Sequence, residues 1–142
     1  MIPKFRAWMP SLQWMCNVSA ILFDENSLDV YKIGDAERVT EMSVNQDEVT
    51  LMQSTGVFDR NGTEIFEGDI IDTTDYEGGL SSVGNPLVKV EHDKYGFVVT
   101  GDFPTSPITL KEFEAGRKFA GVEVIIAGNI YENPELVEVI DD

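Results

Sequence analysis

Short apolar and β-branched runs separated by clusters of Gly, Pro, Asn and Asp recur along this chain, and most repeat with the two-residue period of a strand. The pattern predicts a mainly β fold. Phe5 and Ala7 alternate with Lys4 and Arg6 in a first strand. Pro3 and Pro10 bracket it, because proline has no N–H to give to a ladder. Residues 19–23 and 28–33 read as the arms of a hairpin across Asp24-Glu25-Asn26, with Asn26 suited to a positive φ at the turn. Residues 38–44 carry a weaker alternation that predicts a further strand.

Residues 49–53 form the next predicted strand, and Ser54-Thr55-Gly56 is read as its break. Asp59-Arg60-Asn61-Gly62 then supplies a tight hairpin turn, since an Asp side chain can accept from the backbone two residues on and Asn-Gly tolerates positive φ. Ile65 and Phe66 resume the strand, and Glu67-Gly68-Asp69 bends it before Ile70 and Ile71. Such a bend is one way a small sheet curls into a barrel. Residues 72–85 read as one long loop, and residues 87–91 and 97–100 as a hairpin across 92–96. Pro104 and Pro107 flank a kinked connection. Thr109 with Glu112 three residues later has the form of a capping box, so residues 109–118 are the predicted helix. Residues 122–130 are the most apolar strand and are expected at the centre of a sheet, with a bulge at Gly128. Asn133-Pro134-Glu135 starts a last helical turn.

A chain of 142 residues that is 42% hydrophobic has material for a core and is read as a single domain. No apolar run approaches the roughly 18–20 residues needed to span a bilayer, and the N-terminus lacks the pattern of a secretory signal, so a cytoplasmic protein is expected. Cys16 stands alone and is read as a small hydrophobe. Charge changes the picture most. There are 26 acids against 10 bases, a formal net charge of −16. Residues 1–22 hold two bases and no acid, whereas residues 23–79 hold 15 acids and 3 bases. Such a surface repels phosphate backbones and attracts basic partners, so direct nucleic-acid binding is not expected.

Candidate chemistry is thin. His92 lies in a predicted turn and is read as exposed rather than catalytic. One Cys and one His cannot build a structural zinc site, and no G-x-S-x-G, P-loop or G-x-G-x-x-G occurs. Neither a cofactor nor a catalytic residue is predicted. Carboxylate chemistry would have to use Glu64, Glu67, Asp69, Asp72 and Asp75, although in so acidic a chain neighbouring carboxylates arise by chance. For Asp69 the preferred role is bonding backbone amides at the bend. Trp8 and Trp14, with Phe5 and Tyr31, make an aromatic N-terminal sheet, read as core with a homo-oligomer interface as the functional alternative.

The segments IPKFRAW, LMQSTG with DRNGTEIFEGDII, and AGNIYENPEL closely resemble those that mark the YopX family of bacteriophage and prophage proteins. The resemblance covers nearly the whole chain. It implies a mainly β fold with an SH3-type barrel-like core, here residues 48–131, beside an N-terminal antiparallel β meander of residues 1–47, one short helix, and a C-terminal turn at 132–142. It also implies a phage or prophage origin and residence in a bacterial cytoplasm, and it offers no catalytic residues. The expected function is therefore that of a non-enzymatic binding protein whose acidic surface meets a basic host or phage protein, in one form as a nucleic-acid mimic. Glu41, Asp47, Glu48, Asp72 and Asp75 are the predicted binding residues. The alternatives are a carboxylate-dependent divalent-metal enzyme and a self-assembling phage component.

Overall fold

A computed structural model describes residues 4–74 and 86–141. The chain divides into two compact units, Met1–Ser54 and Thr55–Asp142, and passes from one to the other within a single long strand.

In the first unit, β1 (Phe5–Met9), β2 (Trp14–Leu22), β3 (Ser27–Lys32) and β4 (Met42–Asn45) pair antiparallel, and the start of β5 (Thr50–Phe58) pairs with the free side of β1. The two-residue period puts Ala7, Met9, Cys16, Leu28, Val30 and Val44 together in one core. Cys16 lies opposite Ala7 and is fully buried, and burial pushes its thiol pKa up, so it packs as the small hydrophobe expected. Trp8 is buried, while Trp14 and Tyr31 are half-buried beneath Lys32 and Arg38, at 5.3 Å and 4.6 Å from their ring centres. Asn26 takes φ 52° at the β2–β3 turn, as its residue type predicts.

The strand expected over residues 38–44 is reduced to β4. Asp35 accepts from the Thr40 amide at 2.7 Å and the Thr40 hydroxyl at 2.6 Å, and Arg38 sits at φ 57°. These local bonds, which also hold the Asp35 carboxyl below its ordinary value of 3.8, hold the preceding residues in turns instead of a ladder.

In the second unit β6 (Glu64–Phe66) pairs with the later part of β5 and ends a six-stranded sheet of order β4-β3-β2-β1-β5-β6. A second antiparallel sheet follows, built from β7 (Asp69–Asp72), β8 (Leu87–Asp93), β9 (Gly96–Gly101), β10 (Ile108–Thr109) and β11 (Ile125–Asn129) in the order β10-β9-β8-β7-β11. Its core joins Ile65, Ile71, Val88, Val90, Val99, Phe103 and Val124 to Phe113 of α1 (Leu110–Ala120). Helix α1 has the capping box predicted, Thr109 Oγ1 accepting from the Glu112 amide, and α2 (Pro134–Asp141) begins at the proline expected but runs on for eight residues, a second helix where only a turn is predicted.

Four expectations are corrected here. β5 does not break at Ser54-Thr55-Gly56, because Gly56 at φ 77° and the Thr55 hydroxyl, donating to Ile65 O at 2.6 Å, absorb the irregularity within the strand. β11 is not central but an edge strand, bulged between Ile126 and Gly128. The second sheet is open, not a closed barrel. β10 is two residues long and leads at once into α1, so Phe113, rather than a further strand pairing, completes the core. His92 is not in a turn but in β8 opposite Phe97, exposed, with ring centres 4.8 Å apart.

The bend at Gly68 serves to move the chain from the first sheet into the second. Gly68 has φ 88°; its N–H donates to Val90 O at 2.7 Å and its carbonyl accepts from Ile130 N–H at 2.8 Å. Asp69 Oδ2 accepts from the Phe66 amide at 2.8 Å, which is the structural role preferred from the sequence. At the preceding turn, Asp59 Oδ1 accepts from the Asn61 and Thr63 amides, both at 2.9 Å, and its Oδ2 accepts from Ile126 of β11 at 3.1 Å. Gly62 in that turn has φ 79° and open space where a Cβ would lie. Gly62→Val is therefore expected to cost about 1–3 kcal/mol through backbone strain alone, and Gly62→Asn less, as measured by denaturant unfolding.

Candidate functional site

The candidate surface lies at one end of the first unit, where two 3₁₀ turns meet. Phe23–Glu25 closes the β2–β3 hairpin, and Gln46–Glu48 links β4 to β5. Gln46 N–H donates to Asn26 O at 2.8 Å and ties them together. The second turn is fixed by a capping box in which the Asn45 amide donates to Glu48 Oε2 at 2.7 Å. Between the turns lies a groove of about 340 Å³ whose apolar wall is Ile21, Leu22, Phe23, Leu28, Val49 and Leu51. Phe23 is 82% exposed, an uncommon state for a large aromatic residue. An adjoining depression of about 370 Å³ is lined by Glu25, Asn26, Asn45, Gln46 and Asp47, of which Asn26, Gln46 and Asp47 also line the groove. No Lys or Arg is among the residues lining either.

The predicted binding residues do not form one patch. Asp47 is exposed and lines both depressions. Glu48 is beside it, but its carboxylate is engaged in the cap. Glu41 is exposed before β4, where its Oε2 accepts from Ser19 Oγ at 3.0 Å and faces Arg38 Nη1 at 3.6 Å. Asp72 belongs to the second unit and accepts from the Thr74 amide at 2.9 Å and from the Thr74 hydroxyl. Asp75, with residues 75–85 of the predicted long loop, lies outside the described residues.

Of the carboxylates considered for metal chemistry, Asp69 is 2% exposed and bonded to a backbone amide, while Glu64, Glu67 and Asp72 are half-buried. Among the described residues no three His, Cys, Asp or Glu side chains converge as metal ligands would. No helix among the described residues is long and apolar enough to cross a membrane.

Reading the sequence for carboxylates alone missed Leu22, Phe23 and Leu51, the apolar part of the surface. The signal was present in the run Leu22-Phe23-Asp24-Glu25, where two large apolar residues abut two acids at the point where the strand ends. It was hidden because Phe23 fits an extension of the strand.

Fold and surface together define a mainly β protein of two open antiparallel sheets with an acid-rimmed apolar groove. The chain belongs to the YopX family: the family model described as YopX protein matches residues 4–138. Among solved structures it is similar to the crystal structure of protein EF1440 from Enterococcus faecalis. The two are 28% identical, with a TM-score of 0.63 over 96% of this chain and 99% of that one. No curated protein matches it.

A residue committed to the fold and one exposed at the groove are distinguished by substitution. Asp59→Ala, which leaves three backbone amides without their acceptor, is expected to cost about 2–4 kcal/mol. Phe23→Ser, at an exposed position, should shift stability by no more than about 0.5 kcal/mol. Thermal or denaturant unfolding of both variants checks this, and a large loss for Phe23→Ser would show that the residue serves the fold.

Proposed function

We propose that this protein is a non-enzymatic protein-binding module that meets a basic surface on a host or phage protein in a bacterial cytoplasm. The observation that carries the reading is its charge, 26 acids against 10 bases, with Asp24, Glu25, Glu37, Glu41, Asp47 and Glu48 all exposed in the first unit. A field of this sign speeds encounter with basic partners and opposes contact with phosphate backbones. Solubility alone would also be served by such charge, but it would not require Asp47 to line an exposed apolar groove and Glu25 the depression beside it. A nucleic-acid mimic is the more specific form, in which the acids occupy a basic cleft that otherwise receives DNA.

Affinity capture at low and high salt, followed by association kinetics, tests the reading. The partner should be basic, and the association rate should fall as salt rises, because exposed charges are screened beyond a Debye length of about 8 Å at physiological ionic strength. Neutralising Glu41, Asp47, Glu48, Asp72 and Asp75 together to Gln or Asn should reduce the association rate more than it raises the dissociation rate. A mimic should in addition compete with duplex DNA. An acidic partner, or binding indifferent to salt, overturns the electrostatic reading. A stoichiometric micromolar site for magnesium, manganese or calcium that is lost in Asp72→Asn would overturn the non-enzymatic one.

A further inference from the structure

We infer that the groove between the two 3₁₀ turns of the first unit is a peptide-docking site for a partner segment that places a large apolar side chain next to a Lys or Arg. The inference rests on the binding reading above and assigns it a site and a ligand chemistry.

Two contiguous features set that chemistry. The groove has an apolar wall, Ile21, Leu22, Phe23, Leu28, Val49 and Leu51, and its volume of about 340 Å³ suits one or two large side chains. The depression beside it is polar and acidic, with Glu25 and Asp47 and no base, and the two share Asn26, Gln46 and Asp47. A side chain seated on the apolar wall therefore has its neighbour in sequence held against carboxylates. A cationic neighbour is favoured there, because an acidic one would be repelled by Glu25 and Asp47 and a neutral one would gain nothing from them.

A further observation points to an occupant. Ser27 lines the groove, is only 9% exposed, and its hydroxyl is buried with no hydrogen-bond partner among the described residues. An unpaired buried hydroxyl is costly, and one belonging to a residue that lines the groove stands to gain from a peptide group seated there. The shared amides of Asn26 and Gln46 are equally suited to bond an extended backbone. A second copy of this chain is a poor occupant, since each copy carries a net charge of −16.

Two of its side chains stand in water, which makes the site testable without disturbing the fold. Asp47 is exposed on a turn held by the Asn45–Glu48 box, and Phe23 is exposed at the hairpin end. The full chain is used to select from a displayed library of random short peptides. One selected peptide is then resynthesised, labelled, and titrated against the unaltered chain, Phe23→Ser, Asp47→Lys and, as a control in the second unit, Asp93→Lys.

The expected result is a consensus of a large apolar residue adjacent to Lys or Arg. Kd should rise about tenfold or more in Phe23→Ser and in Asp47→Lys, with the far-ultraviolet circular dichroism of each unchanged, and should change little in Asp93→Lys. Basic peptides that bind Phe23→Ser and Asp47→Lys as well as the unaltered chain would overturn the groove assignment and leave the acidic-surface reading standing. Selected peptides without basic residues would overturn both, and so would a library that yields no enrichment. Concentration-dependent dimerisation abolished by Phe23→Ser, seen by sedimentation, would make the groove a self-interface and overturn the peptide proposal.

Discussion

The carboxylate of Asp59 is the constraint on which the second unit turns. A chain that reverses direction this often leaves backbone amides at every turn and sheet edge, and a buried amide must find an acceptor. Asp59 serves three, two inside its own turn and one on β11, while Arg60 N–H donates to Val124 O beside it. The turn thus gives the Ile126 amide of β11, and the Val124 carbonyl just before the strand, hydrogen bonds of the kind a further strand would supply. That lessens the bare ladder which the most apolar strand would otherwise offer at an edge.

The same device recurs at two other interruptions of the ladder. Asp69 accepts from Phe66 at the bend between the sheets, and Asn129 Oδ1 accepts from the Tyr131 and Glu132 amides after β11. Asn133 Oδ1 accepts from the Asn129 amide, and it lies so close to Gly128 that an added Cβ would stand 2.3 Å away, a contact that only glycine avoids. These residues fall within the part of the chain that the family model matches. The side chains of Asp59, Asp69, Asn129 and Asn133 are committed to the backbone and so serve the fold.

The remaining acids are of another kind. Asp24, Glu25 and Asp47 sit on short turns whose own backbone needs are met elsewhere, by the Asn26 amide donating to Phe23 O and by the Asn45–Glu48 cap. Charge held in water next to an exposed phenylalanine does little for stability, since exposed carboxylates contribute at most fractions of a kcal/mol. In the binding role proposed above they would provide complementarity instead, apolar for anchoring and acidic for choosing among partners.

The sequence by itself determined the local features, because each depends on residues close in the chain. The Asn26 turn, the Thr109–Glu112 cap, the helix start at Pro134, the Gly128 bulge and the amide-bonding role of Asp69 all follow from side chains within a few residues of the backbone they serve. Tertiary structure decided what depends on distant residues. Hydrophobicity could not place β11 at an edge, because the group that makes an edge tolerable is a carboxylate 67 positions away. Nor could it keep the second sheet open, since that follows from Phe113 of α1 reaching the core that a barrel closure would have sealed. The groove is likewise tertiary: Phe23 and Asp47 become neighbours only when the Gln46 amide reaches Asn26, and alternation along either segment carries no record of that bond.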